Sequence, residues 1–243
     1  MTRSVDLNSD VGEGFGAWPG GPDRELMRII TSANIACGFH AGDPSIMRQT
    51  CEMAVENNVA IGAHVSYPDL AGFGRRFIDM KPDELADAVV YQLGALAGCA
   101  RVAGSSVTYV KPHGALYNTI VRHDGQAEAV ARAVKQFDPK LPLLGLPGTD
   151  SAIEREAAKQ GLTFLFEGFA DRGYADDGTL IPRHQPGALL TDEDSASKQA
   201  VAVADRGITS ICIHSDTPGA ATLGAAVAVG LLQAGYELRP FTR

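Results

Sequence analysis

Four of the six histidines in this chain of 243 residues stand in short polar segments that each follow an apolar run. His40 lies in Gly38-Phe39-His40-Ala41-Gly42-Asp43, and His64 directly follows Ala60-Ile61-Gly62-Ala63. His113 lies in Lys111-Pro112-His113-Gly114, and His214 opens His214-Ser215-Asp216. Carboxylates occupy equivalent places: Asp10 and Glu13 after the first run, Glu167 and Asp171 after the sixth. Imidazole titrates near neutral pH, and a carboxylate can hold its tautomer or take a proton itself, so such a set can do general acid–base work. It can also hold a divalent metal, because one carboxylate with two imidazoles, here Asp10, His64 and His113, is a common open-site ligand set. No HExxH or HxxxH spacing marks such a site locally. For one histidine alone a structural role explains its place equally well; four at equivalent positions favour a site. His123 and His184 fall in segments read as surface loops.

Cations add a second clue in an otherwise acidic chain. Arg75, Arg76, Lys111, Arg172 and Arg183 fall in Gly- and Pro-marked segments, where a fixed arginine suits carboxylate or phosphate recognition. Arg76 and Arg183, taken singly, read as solvated loop charges. Lys111 abuts an apolar run and precedes Pro112, which sets it apart. Asp43 and Asp216 each precede an expected helix, so N-capping competes with any role in a site. There is no G-x-S-x-G and no G-x-x-x-x-G-K-[ST], and Gly12-Glu13-Gly14-Phe15-Gly16 lacks dinucleotide-fingerprint spacing.

The elements that must position these residues alternate. Apolar runs at 5–7, 33–37, 60–63, 107–110, 141–146, 163–166 and 210–213 read as buried strands. Segments with helical spacing lie between them, at 45–57, 82–102, 126–137, 151–160, 193–205 and 220–234. Pro44, Pro82 and Pro218 sit where a first helical turn tolerates a missing N–H. Seven strand–helix repeats imply parallel strands with right-handed crossovers, and a TIM-barrel-like (β/α) barrel, seven-stranded or irregular, fits better than an open sheet. The polar segments would then meet at the C-terminal mouth of the barrel. No linker divides the chain, which reads as a single domain over residues 1–243.

Composition excludes several classes. A formal charge of −8 without a basic run argues against nucleic acid, and a 45% hydrophobic content against disorder. The uncharged stretch 217–236 is broken by Pro218, Gln233 and several glycines, which suits a buried helix better than a membrane span. Four unpaired cysteines and an N-terminus without an apolar h-region lead us to expect a reduced, cytoplasmic setting.

Six segments, VDLNSDVGEGFG, SANIACGFHAGDPSIM, AIGAHVSYPDLAGFGRR, VKPHGALYN, FADRGYADDGTLIPR and CIHSDTPGA, together resemble the LamB/YcsF family from about residue 5 to residue 219. Ser9, Val65 and Ser215 depart from the family's usual residues, and none of these changes removes an ionisable group. The resemblance implies a barrel like that of polysaccharide deacetylases. It implies opening of the 5-oxoproline lactam to L-glutamate with ATP hydrolysed, in a complex with 5-oxoprolinase subunits B and C. ATP with Mg2+ would be held largely by those partners, since this chain lacks a phosphate loop. In that picture Asp10, His64 and His113 activate water or shuttle protons, and Lys111 with an arginine holds anionic groups. Glu13, His40, Arg75, Glu167, Arg172, His214 and Asp216 would contact or orient the substrate. Two alternatives stay open: a metal-dependent deacetylase or amidohydrolase, and a non-catalytic scaffold protein within the complex.

Overall fold

The computed structural model describes residues 3–148, 150–175, 179–183 and 185–242. Seven parallel strands close into a barrel: β1 (Arg3–Val11), β2 (Ser32–Ala36), β3 (Ala60–His64), β4 (Val107–Val110), β5 (Leu143–Gly145), β6 (Phe164–Phe169) and β7 (Ser210–Cys212). Closure is made at β1, which pairs with β2 through Asn8↔Ser32 to Val11↔Ile35 and with β7 through Asp6↔Ser210 to Asn8↔Cys212. A short eighth strand, β8 (Tyr236–Leu238), pairs in parallel with Arg3–Val5 at the start of β1, outside the ring.

Helices α1 (Asp23–Leu26), α2 (Pro44–Glu56), α3 (Pro82–Val102), α4 (Gly114–Thr119), α5 (Asp124–Phe137), α6 (Ala152–Gln160), α7 (Glu193–Ala204) and α8 (Ala220–Gln233) connect the strands. Side chains of Asp43, His123 and Asp192 cap α2, α5 and α7. Asp43 accepts from Ser45 N and Ile46 N at the head of α2, with Pro44 in its first turn, and Pro82 opens α3. Pro218 does not open its helix: α8 begins two residues later at Ala220, behind Gly219 in a left-handed conformation. The 21-residue α3 is long and apolar enough by composition to cross a membrane. Here its apolar face, including Leu85, Val89, Leu93 and Leu96, is buried, and its Gln92 amide binds both the N–H and the carbonyl of Ser66.

The alternation along β1 explains the barrel's character. Val5, Leu7 and Val11 join the hydrophobic cluster that carries the helices. Asp6, Asn8 and Asp10, two residues apart, meet polar partners from other strands: Asp6 accepts from Ser32 and Ser210, and Asn8 accepts from Asn34 and donates to Ser210. Tyr109 of β4 donates to Asn34 Oδ1 at 2.6 Å, and Gly62 leaves room for its ring, since a Cβ there would lie 2.1 Å from it. A polar ladder therefore runs through the barrel, with each rung hydrogen-bonded, as burial demands.

Candidate active site

The ladder ends in a buried ion cluster below the mouth. Lys111, one residue past β4 and 2% exposed, lies 2.9 Å from Asp10 Oδ1 and 2.8 Å from Glu167 Oε1. Glu167 also accepts from Tyr117 OH at 2.7 Å, and Asn34 donates to Asp10 at 2.8 Å. Burial opposes the charge on Lys111, but Asp10 and Glu167 outweigh it and keep the ammonium protonated well above its usual range. Burial would likewise raise Asp10; the His64 ring and the Lys111 ammonium beside it overcome that and hold the carboxyl well below the usual range. The cluster is thus one lysine clamped between two carboxyl groups rather than a set of free groups.

Above it the histidines gather. His64, the last residue of β3, has Nδ1 2.9 Å from the carbonyl of Lys111, and His113 has Nε2 2.9 Å from the carbonyl of Phe73. The inward nitrogens, His64 Nε2 and His113 Nδ1, face each other at 2.9 Å. Asp10 Oδ2 stands 3.3 Å from His64 Nε2, and Glu13 Oε1 stands 3.5 Å from His113 Nδ1. Burial lifts the Glu13 carboxyl, with the Asp10 charge adding, to about 7. His113 is held well below its usual range by burial and by the His40 and His64 rings beside it. His40 stacks on His113 with centroids 3.8 Å apart and puts Nε2 3.0 Å from Glu13 Oε1. Two glycines allow this packing: a Cβ on Gly74 would lie 2.7 Å from the His113 ring, and one on Gly114 would lie 2.5 Å from the Gly74 carbonyl.

A cavity of about 370 Å³ opens onto this layer, lined by Asp10, Glu13, His64, Lys111 and His113 below and by Arg75, Arg172, Arg183, His214 and Asp216 around its wall. Arg75 and Arg183 converge on the Asp216 carboxylate from different loops, Arg183 at 2.8 Å. His214 Nδ1 is 2.9 Å from Asp171 Oδ1, and its ring stacks on Phe169.

The expected residues therefore meet, but not all as expected. Lys111 is spent on two carboxylates and does not stand ready for a substrate anion. His40 and Glu167, fully buried, lie one layer behind the cavity and act through Glu13 and Lys111. Arg172 lines the wall, yet its guanidinium donates to the carbonyls of Ile181 and Ala188, pinning the loop. Asp216 caps no helix; its carboxylate is the meeting point of two arginines. Arg183, set aside as a lone loop charge, is one of them, and only the fold brings it there. Asp171 and Tyr117 were also missed as partners of His214 and Glu167. Arg76 pairs with Asp69 away from the cavity, and exposed His123 caps α5 by accepting from Gln126 N. His184 lies outside the described residues.

The LamB/YcsF family profile matches residues 5–243. The chain belongs to the LamB/YcsF family. It is 55% identical over 250 residues to the 5-oxoprolinase A subunit of Kocuria rhizophila, covering 98% of both chains. Among solved structures, this LamB/YcsF barrel is similar to the lactam utilization protein of Thermus thermophilus, with a TM-score of 0.92, 42% identity, and coverage of 98% of this chain and 100% of that one. A polysaccharide deacetylase from Bacillus cereus shares the fold alone, with a TM-score of 0.55 and 12% identity over 100% of this chain and 93% of that one. LamB/YcsF membership and the deacetylase-like barrel thus both agree with the reading of the strand-end motifs.

Proposed function

We propose that this chain is the A subunit of an ATP-dependent 5-oxoprolinase and supplies the chamber in which the 5-oxoproline lactam is opened to L-glutamate. The observation that carries the reading is the convergence of His64, His113, Glu13 and Asp10 beneath a rim bearing Arg75 and Arg183. Full-length similarity to chains of that name supports the substrate. In this reading the substrate carboxylate is received by the two rim arginines, whose charge exceeds that of the one Asp216 carboxylate between them. The lactam carbon C5 then faces the imidazole layer. Water adds to C5, a carboxylate oxygen of this layer takes its proton, and that proton passes to the ring nitrogen as the C5–N bond breaks. Fixed positions shorten the search for that geometry.

The residues here do not fit a magnesium triphosphate. Among the described residues of the cavity, Lys111 is matched by Asp10 and Glu167, Arg172 by carbonyls, and Arg75 and Arg183 share Asp216. That leaves charge for one small anion. We therefore assign ATP with Mg2+ to the partner subunits B and C, which would activate the lactam oxygen, and place the assembly in the cytoplasm.

The test measures glutamate release from 5-oxoproline, with and without ATP, by the assembled complex containing either the wild-type chain or His113→Ala. Loss of the imidazole should lower turnover by about 10²–10⁴-fold. Near-wild-type turnover would remove His113 from the mechanism, and no glutamate from a folded wild-type complex would sink the substrate assignment.

A further inference from the structure

The two inward-facing imidazole nitrogens pose an electrostatic problem. A carbonyl oxygen only accepts, so the hydrogen bonds to Lys111 O and Phe73 O place the ring protons on His64 Nδ1 and His113 Nε2. His64 Nε2 and His113 Nδ1 are then both lone-pair donors, yet they stand 2.9 Å apart. Two lone pairs at that distance repel unless something positive lies between or beside them. Glu13 Oε1, 3.5 Å from His113 Nδ1 and 3.9 Å from His64 Nε2, adds a third electron-pair donor. Asp10 Oδ2, 3.3 Å from His64 Nε2, adds a fourth.

We propose that His64 Nε2, His113 Nδ1 and Glu13 Oε1, with Asp10 Oδ2 beside them, bind one divalent transition-metal ion of the zinc class. The edges of the cluster support this. Ligand atoms about 2.0–2.2 Å from a common metal stand roughly 3–3.5 Å from one another; the three edges among His64 Nε2, His113 Nδ1 and Glu13 Oε1 run from 2.9 to 3.9 Å, and Asp10 Oδ2 lies 3.3 Å from His64 Nε2. A single shared proton would satisfy the N···N pair but gives no reason for the Glu13 carboxylate to close on both nitrogens. The surroundings also have the form that orients metal ligands, with each ligating ring's far nitrogen donating to a carbonyl. His40 does the same for the carboxylate, placing Nε2 3.0 Å from Glu13 Oε1 while stacking on His113. The choice of ligands is selective. The neighbouring group of Asp10, Cys212 and His214 already holds a cation, since Lys111 Nζ lies 2.9 Å from Asp10 Oδ1 and 3.3 Å from Cys212 Sγ. Glu13 is the ligand that the motif reading, with Asp10, His64 and His113 alone, had not included.

A bound ion of this class polarises a carbonyl oxygen or acidifies a bound water. The site does not depend on 5-oxoproline being the substrate, so its test is separate from the glutamate assay. Chelator-stripped protein is dialysed against Zn2+ and, separately, Co2+, and bound metal is counted by elemental analysis. One equivalent per chain is expected, with a visible Co2+ absorption band and a rise in the thermal midpoint on adding Zn2+. His113→Ala and Glu13→Gln should abolish the band and weaken binding more than about a hundredfold, whereas His40→Ala, which removes a support behind Glu13, should weaken it by about 10–100-fold. His123→Ala should bind as wild type. Glu13→Gln keeps an acceptor for His40, so it still reports if His113→Ala unfolds. Substoichiometric metal with no shift in the wild-type midpoint, or unchanged affinity in both ligand variants, would overturn the proposal.

Discussion

At the scale of single residues, the deciding fact about the site is that its most conspicuous cation is already committed. Lys111 is buried between Asp10 and Glu167, so it tunes and fixes carboxylates rather than reaching for a ligand. A buried pair stripped of one partner leaves an uncompensated charge, which is far worse than losing both. Lys111→Met should therefore destabilise the fold by about 3–5 kcal/mol in urea unfolding. Adding Glu167→Gln to Lys111→Met should recover part of that loss, a coupling that a double-mutant cycle measures. Strict additivity of the two changes would mean that the array is not the electrostatic unit the distances describe. The same reasoning separates His40 from His113. Both are buried imidazoles, but His40 binds only Glu13 and stacks, so it is a positioning residue.

At the scale of elements, the site depends on two loops meeting closely. The segment after β3 brings Gly74 against the segment after β4, where Ala115 N donates to Gly74 O at 2.8 Å. Gly74 has φ of 65°, and its added Cβ would strike Ser66, His113 and His40. Gly74→Ala should cost about 1–3 kcal/mol in denaturant stability and displace His113, so turnover should fall with it. Gly94, exposed in α3 with nothing within 4 Å of a built Cβ, should behave oppositely. Gly94→Ala should gain about 0.5–1 kcal/mol with unchanged turnover, because helix-interior glycine carries an entropic penalty. Equal losses in both variants would show that the loop contact has no special role. The strands' order and most helices were legible because a barrel strand buried on both faces writes itself as a short apolar run between turn residues. What escaped follows from the same rule. β1 extends from Arg3 to Val11 because Asp6, Asn8 and Asp10 are satisfied inside the barrel, and a hydrophobicity reading stops at them. The six-residue α4 and three-residue β8 are too short to show a period. Glu13 and Arg183 were undervalued because their partners, His113 and Asp216, are brought to them by other loops.

At the scale of the whole molecule, the barrel separates its chemistry from its closure. The mouth holds the imidazole layer, while the opposite end is sealed where Asp6 of β1 accepts from Thr31 at 2.6 Å, from Ser32 of β2 at 2.6 Å, and from Ser210 of β7. One carboxylate thus ties together the three strands at the seam, and Phe241 packs edge-on against Tyr109 nearby with centroids 4.8 Å apart. Burial raises the Asp6 carboxyl from 3.8 to about 6, against the hydrogen bonds from Ser210, Ser32 and Thr31 that pull it down. The folded state then binds this proton more tightly than the unfolded chain does. Its contribution to stability is fully present below about pH 4 and is lost as pH rises through about 6, a swing of about 3 kcal/mol at most. Asp6→Asn keeps an acceptor for the seam hydroxyls but cannot ionise. Denaturant unfolding of wild type and Asp6→Asn at several pH values between about 4 and 8 should therefore diverge, with the wild type losing stability relative to the variant as pH rises from about 4 to 6. Parallel pH profiles would show that Asp6 ionises in the fold as readily as in water. The seam would then be held by its hydroxyls and strand pairing alone.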